Sequence, residues 1–147
     1  MTAGHPAADD RHMARAVRDL GFARVGFAAL AWLFVACLVV QVFLVGLDTF
    51  AKLGGSIHRD FAYVYGWLAP ILVLLSRTPA APATTRNPVL ILLLLFAAQT
   101  VLPSLKDQFP VLAALHPVNA LVIFALAIIV ARRASVGVWT RAEAANP

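Results

Sequence analysis

Four apolar runs, each about 20 residues long, constrain the fold of this chain more than any other feature. Short polar segments separate the runs, which cover approximately residues 22–47, 57–76, 89–105 and 110–131. The ~30 Å hydrocarbon core of a bilayer requires helices of this length, because a helix satisfies its own backbone hydrogen bonds. Only 13% of the residues are charged, whereas a soluble domain has about a quarter. The sequence therefore predicts an integral membrane protein.

The short links between the runs predict an all-α fold, a transmembrane four-helix bundle with up-down-up-down topology. This transmembrane domain is predicted at residues 22–133. A basic cytoplasmic tail precedes it at residues 1–21, where apolar residues alternate with arginines in a pattern compatible with a short helix on the membrane surface. A second cytoplasmic tail is predicted at residues 134–147.

The distribution of basic residues predicts how the bundle is oriented. Arginines gather in both tails and in the loop after the second run, whereas basic residues on the opposite side are offset by aspartates. The positive-inside rule therefore places both termini in the cytoplasm. The Ala- and Arg-rich composition is typical of GC-rich bacterial coding, so the inner membrane of a bacterial cell is the expected location. The net charge of +5 could suggest nucleic acid. However, the arginines lie in tails and at helix ends and form no basic face, so no nucleic-acid partner is expected.

The chain contains an internal repeat with an offset of 58 residues. The segment that begins at Gln41 has leucines three and six positions later, and His58 at 17 positions. The segment that begins at Gln99 has the same spacing and reaches His116. Two helical hairpins that repeat in parallel are expected to pack around an approximate two-fold axis along the membrane normal.

Each repeated histidine lies in or near the first turn of a run that passes from outside to inside. His58 and His116 are therefore expected at similar depth near the outer face. Alanines follow each histidine at four and eleven positions, which return to nearly the same face of a helix. These alanines are Ala62, Ala69, Ala120 and Ala127. The spacing predicts two helices that each present a histidine above a strip of small residues.

This arrangement suits a flat, bulky, apolar ligand held between two imidazoles, namely a b-type haem. Two histidines can supply both axial nitrogens, and the alanines leave space for the macrocycle between the second and fourth helices. His58 and His116 are the predicted iron ligands, with the other nitrogen of each neutral ring donating a hydrogen bond. Arg59 is expected to pair with a propionate at the outer surface, and Lys52 and Lys106 are weaker candidates.

The same residues leave other interpretations open. Histidines at helix ends are often polar residues of the membrane interface, and this pair could also bind another ligand or a partner. Gln41 and Gln99 lie within apolar runs. They are expected either to join helices across the two-fold axis or to support a cofactor. The single cysteine, Cys37, is expected to be a packing residue, and it excludes an intrachain disulfide and a cysteine-based zinc site.

These motifs resemble one four-helix half of the haem A synthase family. The resemblance covers roughly residues 41–133 and consists of two Gln-x-x-Leu motifs, the His58-Arg59 pair and the second histidine, His116. The chain is also similar to an uncharacterised family of small four-span bacterial membrane proteins. In the haem A synthase family, paired histidines of each half flank an outward haem site, so the resemblance implies that His58 and His116 are haem ligands.

The chain also departs from that family. It has only one four-helix unit, it lacks the outward-loop cysteine pair, and Ser56-Ile57 stands where the family has an acidic residue before the His-Arg pair. These departures argue against synthase activity.

Three functions are compatible with this pattern. The first is a haem-binding membrane protein, without catalysis, that transfers electrons. The second is a haem-dependent membrane oxidoreductase subunit, which would work with a redox partner or as a homodimer that rebuilds an eight-helix arrangement. The third is a cofactor-free structural or accessory bundle that assembles with a partner. The scarcity of ionisable groups inside the runs argues against an ion or proton path.

Overall fold

The computed structural model describes residues 6–51 and 57–144, and this part of the chain is helical with no β-strand. The helices are α1 (Pro6–Phe50), α2 (Ile57–Tyr65), α3 (Leu68–Ser76), α4 (Arg86–Val101), α5 (Pro110–Ala113) and α6 (Leu115–Ala144). Short 3-10 helices at Ala83–Thr85 and Leu102–Leu105 precede and follow α4. The predicted all-α class is confirmed.

Three helical segments are long and apolar enough to cross a membrane, namely Arg15–Phe50, Ala83–Leu105 and Pro110–Val136. They correspond to the first, third and fourth predicted runs. Helix α1 continues from Pro6 through residues 21 and 22 without a break. Helix α6 likewise continues beyond residue 133 to Ala144.

The second predicted run, residues 57–76, forms two nine-residue helices instead of one continuous helix. The break at Gly66 and Trp67 has a local cause, because Pro70 has no N–H to donate to the carbonyl of Gly66. That carbonyl accepts the N–H of Ala69 instead, at 3.2 Å. Phe96 of α4 packs so close to Gly66 that a Cβ there would lie 2.9 Å from the ring. The turn therefore fits only a residue without a side chain.

The buried residues of each long helix recur at three- and four-residue intervals and so form one inward face. In α1 this face includes Phe27, Ala31, Phe34 and Leu38. The outward faces are also apolar, with exposed side chains such as Phe43 of α1, Leu94 of α4 and Leu121 of α6. Polar and apolar residues are thus not separated into an outer and an inner surface as they are in a soluble helical protein.

Helix α1 packs against α2, α3 and α6, and α4 packs against α3 and α6. Because α1 and α4 each contact both of the others, the α2–α3 segment and α6 face each other diagonally.

Arginines stabilise the end of the helices that is remote from the histidines. The Arg86 side chain donates to the carbonyl of Ser76 at 3.3 Å, and Arg133 donates to the carbonyl of Thr84 at 2.8 Å. These contacts close the loop between α3 and α4 against the start of α4 and the middle of α6. The basic end and the histidine end of the structure are therefore opposite ends.

Candidate histidine site

His58 is held by the last turns of α1. Its Nδ1–H donates to Oδ2 of Asp48 at 2.6 Å, and its backbone N–H lies 3.4 Å from the same oxygen. The side chain of Asp48 is only 7% exposed, whereas that of His58 is 31% exposed. Gln41, two turns before Asp48, donates from Nε2 to the carbonyl of His58 at 2.8 Å. Both the ring and the backbone of His58 are therefore fixed by α1.

His116 is held by α4 through different chemistry. Its Nδ1–H donates to the backbone carbonyl of Gln99 at 3.1 Å, and its Nε2 accepts from the side-chain amide of Gln99 at 3.3 Å. Asn119 donates to Oε1 of Gln99 at 2.7 Å and lies 2.9 Å from the carbonyl of Leu95. Amides alone, with no carboxylate, therefore orient this ring.

The carbonyl of Gln99 is available because of Pro103. In a continuous α-helix that carbonyl would accept the N–H four residues later, and proline has none. The chain changes to a 3-10 helix at Leu102–Leu105, and the imidazole of His116 takes the released carbonyl. Pro117 lies in the first turn of α6 and has no N–H to donate to the carbonyl of Ala113, the last residue of α5, which accounts for the interruption at Ala114 between the two helices.

The two glutamines act within their own hairpins. Gln41 joins α1 to α2, and Gln99 joins α4 to α6, so the alternative of a bond across the two-fold axis is not what the structure contains. Oε1 of Gln41 is buried and has no hydrogen-bond partner among the described residues, whereas Oε1 of Gln99 is bonded to Asn119. The repeat therefore places both glutamines next to a histidine but completes only one of the two networks.

The partners of both rings assign the proton to Nδ1, because each Nδ1 faces an oxygen that can only accept. Each Nδ1 carries the proton and donates it to a partner, which leaves the lone pair on Nε2. The described residues contain no group of three or more side chains of the metal-binding types. Two imidazoles alone are too few for a zinc site, which takes four ligands, whereas a haem needs only two axial nitrogens because its porphyrin supplies four.

The predicted alanine strips divide into two levels. Ala69 and Ala127 are fully buried in the packed core, whereas Ala62 and Ala120, one turn from the histidines, are half-buried. An aromatic cluster of Phe34, Tyr65 and Phe96, with ring centroids 5.5–5.8 Å apart, lies in the core at the level below Ala62. The lower alanines are therefore part of the packed core, and of the predicted strips only Ala62 and Ala120 remain candidates to line a ligand site.

The predicted propionate partners lie at the surface. The Arg59 side chain is 62% exposed and lies 3.5 Å from the carboxylate of Asp60, which competes for its charge. Lys106 is exposed in the turn that follows the 3-10 helix Leu102–Leu105. Lys52 lies outside the described residues.

Asp48 is the site residue that sequence reasoning missed, because the charge pattern alone indicates only an acid that offsets nearby basic residues. Its signal was the seven-residue spacing from Gln41, which places both side chains on one face of α1. Asn119, three residues after His116, bonds to Gln99 within the site. No protein-family model matches this chain, and neither the curated proteins nor the solved structures include one that is similar to it.

Proposed function

We propose that this chain is a multi-pass membrane protein that binds b-type haem between His58 and His116 and uses it for electron transfer. The observation that carries the proposal is the matched pair of imidazoles on diagonal helices, each with Nδ1 engaged by the preceding helix and the lone pair on Nε2. Haem supplies a reversible one-electron redox centre that amino-acid side chains lack.

The membrane part of the proposal is a four-helix bundle in the bacterial inner membrane. It is supported by three segments of sufficient length and hydropathy, and by large apolar side chains on the outward faces of α1, α4 and α6. The α2–α3 segment would be a fourth, broken span. Its freed backbone groups are satisfied by the turn at Gly66, as a span within lipid requires.

The arginine-rich end, with Arg86 and Arg133, would face the cytoplasm together with both termini, and the histidine end would face outward. In that orientation Arg59 stands beside His58 at the outer surface, where it can pair with an acidic group of the cofactor. The chain's own residues thus have separate tasks: Asp48 and Gln99 orient the imidazoles, Ala62 and Ala120 leave space, and the aromatic cluster excludes water from below.

The test is an absorption spectrum of the full chain purified in detergent. Haem held by two imidazoles gives a Soret band and sharp α and β bands on reduction. His58→Ala and His116→Ala are each expected to abolish the sharp α and β bands, because one axial nitrogen is lost. His12→Ala, a histidine of the N-terminal tail, is the matched control and should leave the spectrum unchanged.

A colourless protein that takes up no added haem at a 1:1 ratio would overturn the proposal.

The second candidate function, a cofactor-free accessory bundle that assembles with a partner, is favoured by one specific observation. The amide of Gln99 already occupies Nε2 of His116 at 3.3 Å, so this polar network is satisfied without a cofactor. In that case either alanine variant should lower the stability of the protein with no spectral change. A partner that co-purifies with the coloured protein would instead indicate an oxidoreductase subunit.

A further inference from the structure

We propose that the arginine-rich end of the bundle carries a binding site for one anionic phospholipid, in the groove between α4 and α6. Arg133 and Asn87 bind the phosphate, and the outward apolar faces of the two helices receive the acyl chains. This inference rests on the membrane part of the proposed function and is independent of haem.

The site is a surface cavity of about 570 Å³, a volume within the usual range of ligand pockets. The loop before α4, the first turn of α4 and the middle of α6 all contribute to its wall. The lining residues are Ala83, Thr84, Asn87, Pro88 and Arg133. Most of them are exposed, so the cavity is open to the surroundings of the protein.

The guanidinium of Arg133 retains donors for an anion. It donates to the carbonyl of Thr84 at 2.8 Å, and this bond holds the side chain at the wall of the cavity. A guanidinium has five N–H donors, and their planar fork matches two oxygens of a phosphate. Both ion pairs among the described residues lie at the histidine end, so no carboxylate pairs with Arg133. On the α4 side of the cavity, the amide of Asn87 can donate a further hydrogen bond.

The charge around the cavity favours an anionic headgroup over a zwitterionic one. Three more arginines, Arg77, Arg86 and Arg132, are exposed at the same end. Between residues 61 and 142 the only acidic residue is Asp107, which lies at the histidine end. A zwitterionic headgroup would bring its own cation close to these arginines, whereas an anionic one brings only the negative charge. Basic pockets between helices at the cytoplasmic face bind anionic headgroups for this reason.

The apolar surface beside the cavity accounts for the acyl chains. Positions three, four and seven residues after Asn87 lie on its face of α4, and positions four and eleven residues before Arg133 lie on its face of α6. All five hold exposed apolar residues, namely Leu90, Ile91, Leu94, Ile129 and Val122. Because Asn87 and Arg133 line one cavity, these faces flank the same groove. A soluble phosphate would leave the groove unused, so the occupant is a phospholipid.

Phosphatidylglycerol, added to the delipidated full chain in detergent, is the probe, and native mass spectrometry counts the molecules retained. We expect one molecule per chain, and weaker retention of phosphatidylcholine at the same ratio. Arg133→Gln should weaken the retention of phosphatidylglycerol about tenfold, because a charge-assisted hydrogen bond is lost. Arg132→Gln is the matched control. It removes the same charge at the same depth, about 100° around α6, and should have a much smaller effect.

Three results would overturn the site. Equal losses in the two arginine variants would indicate only a general attraction of the basic end to anionic lipid. Equal retention of phosphatidylcholine would remove the role of charge. Displacement of the lipid by inorganic phosphate at equal concentration would identify a soluble anion as the ligand.

Two further results keep the test decisive. If Arg133→Gln does not fold, Asn87→Ala replaces it, because it leaves the bond between Arg133 and Thr84 intact, and it should weaken retention in the same direction. A chain recovered outside the membrane fraction would refute the membrane part of the proposed function and this site with it. A chain recovered in the membrane fraction that retains no phosphatidylglycerol would refute the site alone.

Discussion

Substitution of Gly66 by alanine is expected to destabilise the protein by about 1–3 kcal/mol, the usual cost of forcing extra atoms into a well-packed site. The added Cβ would lie 2.7 Å from the carbonyl oxygen of Ala62 and 2.9 Å from Cε1 of Phe96. The first contact is with backbone and cannot be relieved by a rotamer change. The second is with a ring that is itself packed against Phe34 and Tyr65, with centroids 5.8 and 5.5 Å away, so it cannot withdraw without disturbing the cluster.

The chain offers a matched control for this substitution. Gly26 lies in α1, and a Cβ there would have no neighbour within 4 Å. Alanine at that position should stabilise the helix by about 0.5–1 kcal/mol, because it removes backbone freedom from the unfolded chain. The measurement is thermal or denaturant-induced unfolding of both variants in the same detergent. The two changes should have opposite signs, and a Gly66→Ala variant as stable as Gly26→Ala would refute the close packing at the turn.

Three further predictions concern the polar contacts of the helices. Asp48→Asn should lower the free energy of unfolding by about 1 kcal/mol, because a neutral bond to His58 replaces a charge-assisted one. Denaturant-induced unfolding measures this change, and Asp60→Asn, at an exposed carboxylate, is the control that should have no effect. Pro103→Ala supplies an N–H that competes for the carbonyl of Gln99, so nitrogen-15 NMR of the imidazoles should show a smaller fraction of the Nδ1–H tautomer at His116. Pro110→Ala, at the first position of α5, should leave that fraction unchanged. Trp32 donates to Oγ of Ser135 at 2.9 Å. A double-mutant cycle of Trp32→Phe and Ser135→Ala should therefore give a coupling free energy of about 0.6 kcal/mol. A value near zero would mean that the bond does not join α1 to α6.

The sequence predicted the helices well where a single physical requirement decides the structure. A bilayer-length apolar run leads to a long helix, and three such segments are present at the expected places. The second run was predicted as one helix although Gly66 and Pro70 lie four residues apart within it. The composition of the run favoured continuity. The helix breaks because Pro70 lacks an N–H and because Phe96 of α4 lies close to Gly66, a contact with another helix.

The positions of the candidate site residues were predictable from the repeat, but their partners were not. The same 17-residue spacing brings each glutamine to its histidine, although α1 continues nine residues past Gln41 and α4 ends two residues past Gln99. The inward alanines illustrate the limit of such reasoning. Periodicity puts Ala62 and Ala69 on one face of the α2–α3 segment. It does not predict that the aromatic cluster around Tyr65 fills the core at the level of Ala69. Side-chain packing between distant segments is not contained in a local period.

The chemical differences between the two histidines arise from three positions at which the repeat is broken. Asp48 corresponds to Lys106, Val45 to Pro103, and Phe61 to Asn119. The first difference gives a carboxylate to His58 alone, the second releases a backbone carbonyl to His116 alone, and the third gives only Gln99 a donor for its Oε1. Two identical hairpins, as in a symmetric dimer of half-chains, would have to support both rings in the same way. A single chain that carries both copies is free of that constraint, because each copy can change alone. The repeat therefore determines where the imidazoles lie, and its departures determine which of them is held more firmly.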